Sequence, residues 1–463
     1  IMVVQHNMQA ANANRMLNIT TGAQSKSTEK LSSGYRINRA ADDAAGLSIS
    51  EKMRKQIRGL DKASSNAEDG VSSVQTAEGA LTEVHSMLQR MNELAVQASN
   101  GTNSDTDRGA IQDEISQLTT EIDRVAETTK FNETYLLKGG NGTKDVYMNG
   151  HDAGLKGTLT DSATTATFKV AAGALDAGKS VTIGGKDYTI GSTLDETKAL
   201  ANAAVTDKKS FTVDDTKYNV AADGTITKDG DATATAVKVE DIVKTGSKVS
   251  YDGKTLTAAD IDTTTGVDKS DSSVISAAHA VDLMAKELTA ANNIGATKTA
   301  ATAEKAADYT SKDGVTFNIT KGTAEVADKL SFSLHVGSDA DMTNKITVGI
   351  ETMNSSYLGI KGLNVNDDSG IAGTYAIDAI SDALQKVSEQ RSSLGAVQNR
   401  LEHTIDNLDN VVENTTSAES RIRDTDMAEE MVNYSKNNIL AQAGQSMLAQ
   451  ANQSNQGVLS LLQ

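Results

Sequence analysis

The sequence predicts an α+β protein of several domains, in which long coiled-coil-like helices from both termini form a stem and a β-rich insertion fills the middle. Three observations support this fold class. Apolar residues follow helical spacing along both ends of the 463-residue chain, the composition changes between about residues 160 and 345, and proline is absent. Since a domain takes roughly 100 to 200 residues, about three domains are expected.

The first long helix is predicted from Ala44 to Ser99, where apolar residues recur every three, four or seven positions. Asn100-Gly101 then signals a turn, and Ser104 with Asp107 resembles a capping box that opens a second helix. These two helices should form an antiparallel pair. A third long helix is predicted along an apolar stripe from Ile380 to Ile422. Four polar residues interrupt this stripe, namely Arg391, Gln398, Thr415 and Glu419. Such residues either fix the register of helix pairing or face a partner.

Both outermost ends also carry helical apolar stripes. Neither end can bury its stripe alone, because isolated helices of this length are marginal in water. We therefore expect the two ends to pair with each other or with other subunits, which makes their apolar residues candidates for polymerisation. These candidates are Val4, Met8, Leu440, Met447, Val458 and Leu461.

The middle of the chain alternates apolar and polar residues around turns that contain Gly or Asp, as short hairpins favour. Three hairpins are predicted at residues 181–190, 211–220 and 249–257. Helices are predicted at residues 194–205 and 272–291, and residues 315–320 and 330–336 are predicted to form a further strand pair.

These patterns divide the chain into three predicted domains. The terminal helices form a coiled-coil domain, a helical core with a β-hairpin follows, and the β-rich middle is the third, as one region or as two subdomains. The predicted boundaries are 1–42 with 424–463, then 43–160 with 346–423, and finally 161–345.

Composition excludes several classes of function. The net charge of −18, from 44 Lys and Arg against 62 Asp and Glu, argues against nucleic acid as a partner. No apolar run approaches the roughly 18 residues of a membrane helix, so no membrane insertion is expected. The chain has no Cys, which rules out disulfides and thiolate sites. Residues 1–10 show no secretory signal pattern.

The sequence contains no recognisable catalytic motif. It lacks the zinc-binding His-Glu-x-x-His, the phosphate-binding Gly-rich loop with Lys, and the Gly-x-Ser-x-Gly elbow. His279 and Asp282 are spaced as two metal ligands on a helix can be, but a polar helical face explains them better. We therefore predict no catalytic, metal-binding or cofactor-binding residue, and no enzyme.

The segment from Leu31 to Leu60, LSSGYRINRAADDAAGLSISEKMRKQIRGL, closely resembles bacterial flagellin. The resemblance continues through Leu88–Thr102 and Ile111–Asn132, and resumes with SAESRIRDTDMAEEM from Ser417 and the closing GVLSLLQ. It covers about residues 2 to 145 and 350 to 463, whereas the middle is similar only to the variable insertion of such proteins.

This resemblance implies a structural subunit of the extracellular flagellar filament that serves motility. Such subunits are exported unfolded through the type III apparatus and polymerise beneath a cap, with their terminal helices as an inner coiled coil that lines the filament channel. The implied partners are further copies of the chain, an export chaperone, the filament cap and the hook-filament junction proteins.

The resemblance also implies binding to host Toll-like receptor 5. Arg90, Leu94 and Glu114 match the positions of the principal contact. An Arg with a Leu four residues later can form a binding hot spot, in which the apolar anchor stands beside a bidentate donor. The alternative is that these residues serve filament packing only. Nearby candidates for the same contact are Gln89, Glu93 and Gln97.

Two alternative functions remain open from the sequence. A hook-filament junction protein is similar in its terminal helices, although the longer match over residues 88–132 favours the filament subunit. Some flagellins carry a metallopeptidase in the insertion, but the zinc helix is missing here. A glycan-bearing or adhesive middle region stays open because Thr and Ser are frequent there.

Overall fold

The computed structural model describes residues 7–230, 235–262, 264–367 and 370–460, with side chains up to residue 454. Its helices are α1 (Met8–Ser33), α2 (Ala44–Ala98), α3 (Asp105–Thr128), α4 (Leu194–Thr206), α5 (Val239–Ile242), α6 (Ala277–Asn292), α7 (Ser355–Leu358), α8 (Ile371–Arg423) and α9 (Met427–Ser460), with a 3-10 turn at Met342–Asn344.

The strands lie between α3 and α8. They are β1 (Lys130–Phe131), β2 (Thr134–Tyr135), β3 (Thr143–Tyr147), β4 (Thr158–Asp161), β5 (Thr165–Val170), β6 (Ser180–Ile183), β7 (Lys186–Ile190), β8 (Phe211–Val213), β9 (Thr216–Val220), β10 (Ile226–Lys228), β11 (Lys248–Tyr251), β12 (Lys254–Thr257), β13 (Val274–Ile275), β14 (Thr302–Lys305), β15 (Val315–Thr320), β16 (Thr323–Ala327), β17 (Leu330–His335) and β18 (Lys345–Ile350).

The predicted fold class is confirmed, because long helices from both ends pair and a β-rich region lies between them. The chain falls into two compact units. The first unit contains the chain up to Ser72, Ser333–Thr347 and the chain from Val397 onward, and the second contains Ser73–Phe332 and Val348–Ala396. The three-domain division, with its boundaries near 42, 160, 345 and 423, stays a prediction.

In the first unit, α1 packs along α9, and a short bridge holds their adjacent ends together. α1 ends at Gly34, whose φ of 75° is the left-handed conformation that glycine adopts most readily. The Arg36 N–H then donates to the Arg423 carbonyl at 2.7 Å, and the Thr425 N–H donates to the Gly34 carbonyl at 3.0 Å. These bonds connect residues almost 400 positions apart.

The same unit contains an apolar seam between the early part of α2 and the late part of α8. Leu60 and Ala63 pack with Leu408, and one further step along the pair Ala67 packs with Leu401. Arg423, near the end of α8, reaches back to Glu51 with an Nη1–Oε1 distance of 2.8 Å. The two helices therefore run antiparallel.

In the second unit, α3 runs back along the end of α2. The predicted capping box is confirmed, since the Ser104 side chain accepts from the Asp107 N–H and the Asp107 side chain accepts from the Ser104 N–H. The Arg108 side chain is buried and its Nε donates to the Ala98 carbonyl at 3.1 Å, which satisfies the end of α2.

Two apolar cores organise the strands of the second unit. The larger core lies between α6 and the sheet β14-β15-β5-β4, where the rings of Phe168 and Phe317 lie 6.3 Å apart. The smaller core lies between α4 and the sheet β10-β9-β8-β11-β12, around Phe211 and Val249. The remaining sheets are β1-β2, β13-β7-β6, β16-β3 and β17-β18.

The three predicted hairpins are confirmed as β6–β7, β8–β9 and β11–β12. The predicted helix at 194–205 corresponds to α4.

Two other expectations were wrong in detail. The helix predicted from residue 272 begins only at Ala277, because Val274–Ile275 pairs in parallel with β7 and the Ser276 hydroxyl caps the helix by accepting from the His279 N–H. The strands at 315–320 and 330–336 do not pair with each other. β15 lies between β14 and β5, whereas β17 pairs with β18, because the unpredicted β16 intervenes and pairs with β3.

Candidate interaction surfaces

The helix pair α1–α9 begins with a side-chain cap that also connects the two helices. The Asn7 carbonyl oxygen accepts from the Ala10 N–H at 3.0 Å, while its amide group donates to the Ala451 carbonyl at 3.1 Å. Further along, Lys30 and the buried Glu430 lie 3.7 Å apart. Capping and pairing thus order both ends as helices.

This helix pair exposes many apolar side chains to solvent. Of the residues predicted for polymerisation, Met8 is 75% exposed and Met447 is 61% exposed, and Leu440 is also exposed. Val4, Leu461 and the side chain of Val458 lie outside the described residues. The other exposed apolar residues of the pair, which the prediction did not name, are Met16, Ile19, Met427, Met431, Val432 and Ile439.

Helix α9 carries apolar residues on two opposite faces. Ala441 is buried, and Gly444 approaches Leu17 so closely that an added Cβ would lie 3.3 Å from its methyl carbon. Val432 and Ile439, about half a turn away from Ala441, are exposed. Between α1 and α9 a groove of about 680 Å³ is lined by Met16, Leu17, Leu440 and Met447 among others. A helix that is apolar on both faces requires more than one partner.

In the second unit, the outer face of α2 carries a charged cluster. Arg90, half exposed, donates from Nε to Glu114 Oε1 at 2.9 Å and from Nη1 to Glu93 Oε2 at 3.1 Å. The hydrogen bond to Glu114, with a smaller contribution from Glu93, raises the pKa of Arg90. Gln89 and Gln97 are exposed beside this cluster.

Leu94, which the resemblance implies as the apolar anchor of the receptor contact, lies in the interior of the second unit. Only 2% of Leu94 is exposed, because it points with Leu88 and Met91 into the apolar seam of α2. The exposed apolar residue near Arg90 is instead Val96, at 52%. Sequence reasoning missed Val96, although it falls outside the three-four stripe of buried residues, and that was the available signal.

Among the described residues, no group of three or more His, Cys, Asp or Glu is placed to hold a metal ion. Every helix in that part of the chain is too short or too polar to cross a membrane.

A helix pair built from both chain ends, with exposed apolar side chains along its length, is typical of a structural subunit that associates with further subunits. Comparison with known proteins gives this class its family. Residues 4–142 match the bacterial flagellin N-terminal helical region, and residues 377–462 match the bacterial flagellin C-terminal helical region.

Full-length relatives agree. The chain is 41% identical to a flagellin of Clostridium tyrobutyricum over 98% of this chain and 100% of the relative. It is 36% identical to a flagellin of Bacillus subtilis (strain 168) over the whole of both chains, and 35% identical to flagellin B of Vibrio cholerae over 99% of each.

The chain belongs to the bacterial flagellin family. It is a structural, non-enzymatic subunit that polymerises into the extracellular flagellar filament, and the full-length similarity favours this function over the junction-protein alternative.

Proposed function

We propose that this flagellin assembles through the exposed apolar faces of α1 and α9, and that the outer face of α2 with Glu114 binds host Toll-like receptor 5. The observation that carries the first part is the exposure of Met8, Leu440 and Met447 along the terminal helix pair. The charged cluster around Arg90 carries the second part.

Burial of the terminal helices between copies accounts for assembly. Each Å² of apolar surface removed from water stabilises the polymer by roughly 25 cal/mol. Loss of translational freedom and ordering of the chain ends offset a large part of this gain. The free energy gained by burial exceeds the entropy cost only when both faces of α9 are covered. An inner coiled coil of α1–α9 pairs around the filament channel covers both faces.

Seeded assembly tests this part of the proposal. Full-length chain should elongate filament seeds, whereas a chain without residues 1–35 and 430–463 should stay soluble. The double variant Ile439→Asp/Met447→Asp should fail in the same way, because it places charge on exposed apolar positions of α9. Ser446→Asp, at an exposed polar position of the same helix, is the matched control. Normal elongation by the double variant would contradict the proposal.

The receptor contact rests on a rigid arrangement of charge. Arg90 is held by two carboxylates in a fixed orientation, so little side-chain entropy is lost when it meets a partner. Val96, three residues after Glu93 on α2, is an exposed apolar group on the same helix. Arginine with an apolar neighbour is the composition typical of interface hot spots.

Binding of monomeric flagellin to the receptor ectodomain tests this contact. Arg90→Ala and Glu114→Ala should each weaken binding at least about tenfold. Arg124→Ala is the matched control, because Arg124 is also exposed and pairs with Glu121 three residues away on α3. If Arg90→Ala changes filament assembly but leaves receptor affinity unchanged, the cluster serves packing only.

We further propose that the chain is exported unfolded, with the export chaperone, the filament cap and the hook-filament junction proteins as partners. The absence of both Cys and Pro supports this, since neither disulfides nor prolyl isomerisation would delay threading and refolding. In bacteria that lack the type III apparatus, the chain should stay inside the cell. Its appearance in the medium of such cells would contradict this route.

A further inference from the structure

We infer that two stripes of opposite charge in the first unit, one on α2 and one on α8, face each other between neighbouring copies of the chain in the filament. This inference rests on the proposed assembly and adds a lateral contact to it, outside the terminal helices. The basic stripe consists of Lys52, Lys55, Arg58 and Lys62, and the acidic stripe consists of Glu402, Asp406, Asp409 and Glu413.

Each stripe follows the surface of its helix. Its members are three or four residues apart, which places them on one side of an α-helix. All eight side chains are exposed, whereas Leu60 and Ala63 of α2, and Leu401 and Leu408 of α8, are buried in the seam. The stripes therefore flank the seam that joins the two helices, and Asp409 lies at its edge, where the Ser64 hydroxyl of α2 donates to it.

Within the described residues, no member of either stripe forms an ion pair, whereas many other charged residues of this unit do. Arg54 pairs with Glu419, and Arg423 pairs with Glu51. The polar contacts recorded for the acidic side chains are a hydrogen bond from the Ser64 hydroxyl to Asp409 at 3.2 Å and one from the Gln398 amide to Glu402 at 2.8 Å.

Such stripes are unfavourable in an isolated subunit. Like charges four residues apart, such as Glu402 with Asp406, Asp409 with Glu413, and Arg58 with Lys62, destabilise a helix by a few tenths of a kcal/mol per pair. A surface of opposite charge removes this repulsion. In a chain whose net charge is −18, a run of basic side chains that form no ion pair among the described residues is conspicuous.

The stripes match in length and in height along the helix pair. At about 1.5 Å per residue, the basic stripe is about 15 Å long and the acidic stripe about 16 Å. The packing of Leu60 with Leu408, and of Ala67 with Leu401, places both stripes at the same level of the antiparallel pair. Two copies placed side by side, without a shift along the helices, would bring one stripe against the other.

A contact between two different surfaces is heterologous, so each copy keeps one free stripe after pairing. Repetition of that contact produces a ring or an open helical polymer rather than a closed dimer. This is the symmetry that a filament requires. The second copy of the chain is therefore the occupant that the charges favour.

Charge reversal of each stripe tests the inference by seeded assembly. One variant carries Lys55→Glu, Arg58→Glu and Lys62→Glu, and the other carries Glu402→Lys, Asp406→Lys and Glu413→Lys, with Asp409 kept for Ser64. Each alone should raise the critical concentration for assembly about tenfold at low salt. An equal mixture should assemble near the wild-type concentration, because unlike stripes then meet.

The controls are single reversals of exposed charges beside the stripes, Glu68→Lys on α2 and Arg400→Glu on α8, which should assemble normally. Circular dichroism of the monomers checks folding. If a reversed variant does not fold, the neutral variant with Gln at residues 55, 58 and 62 replaces it and should show a smaller increase in critical concentration.

Normal assembly of both reversed variants, or a mixture that assembles no better than either variant alone, would overturn the inference. In that case the terminal-helix variants still decide the proposed function separately. Failure of the wild-type chain to elongate seeds would overturn both proposals.

Discussion

Arg90 and Leu94 lie four residues apart on α2, yet their surroundings differ completely. Arg90 is half exposed between two carboxylates, whereas Leu94 is buried in the interior of the second unit. Truncation of Arg90 removes a surface interaction, whereas truncation of Leu94 leaves a cavity. A variant at Leu94 therefore changes the packing beneath the proposed receptor contact as well as its composition.

Leu94→Ala should lower the free energy of unfolding by about 2 to 5 kcal/mol, as expected for a buried leucine. Arg90→Ala should lower it by no more than about 1 kcal/mol, because exposed ion pairs contribute little. Urea unfolding of the monomer, followed by circular dichroism, measures both values. Equal costs for the two variants would mean that Leu94 is not part of the core.

Lys386 is a residue whose protonation opposes folding. It is partly buried on α8, its Nζ donates to the Tyr357 carbonyl at 2.8 Å, and burial lowers its pKa below the ordinary 10.5, against the opposing effect of Asp382 and Glu389. Between the lowered pKa and 10.5 the unfolded chain holds more protons than the folded chain. Stability contributed by this residue therefore rises with pH across that window.

The stability difference between wild type and Lys386→Met should accordingly shift in favour of wild type as the pH approaches 10.5, and should stay constant at neutral pH and below. Urea unfolding of both proteins between pH 7 and 10.5 checks this. A difference that does not change with pH would show that the ammonium group remains fully hydrated.

At the scale of elements, two glycines inside α2 show how packing can reverse the usual preference of a helix for alanine over glycine. Glycine costs a helix about 1 kcal/mol relative to alanine, so replacement by alanine normally stabilises it. In the second unit, a Cβ at Gly79 would meet nothing within 4 Å. In the first unit, a Cβ at Gly70 would collide with the side chain of Leu334 and lie 3.3 Å from buried Leu401.

Gly79→Ala should therefore raise the free energy of unfolding by roughly 0.5 to 1 kcal/mol. Gly70→Ala should lower it by about 1 kcal/mol or more, because overpacking outweighs the gain in helix propensity. Thermal unfolding of the two variants side by side measures the difference. Stabilisation by both substitutions would mean that Leu334 moves aside at no cost.

At the scale of the whole molecule, both chain ends must meet before the stem exists. The bonds from Arg36 to Arg423 and from Thr425 to Gly34 join the first and last parts of the chain. Such distant contacts are slow to form, since long loops must close first. The same ends expose the apolar side chains that the proposed assembly covers.

Refolding of the monomer should contain no phase that a prolyl isomerase accelerates, because the chain has no proline. Stopped-flow fluorescence from the tyrosines, or circular dichroism, with and without the isomerase, measures this. Acceleration by the enzyme would indicate a slow step of another origin on which the isomerase acts as a chaperone.

The sequence alone determined the fold class, the three long helices, the three hairpins and the helical pattern of the chain ends. These follow from local signals, such as the capping box at Ser104, the turn at Gly184-Gly185 and the apolar repeat of α2. Interactions between residues close together in the sequence are enough to specify these features.

Features that depend on contacts between residues distant in the sequence could be identified only from the tertiary structure. Strand β13 exists because β7 offers a parallel edge, and β16 separates the strands predicted to pair because β3 binds it. Leu94 is buried, and the unpaired charges of α2 and α8 lie at one level, because helices distant in the sequence pack together. Local periodicity predicts which side of a helix is apolar. It does not predict which element packs against that side or how many residues that element buries.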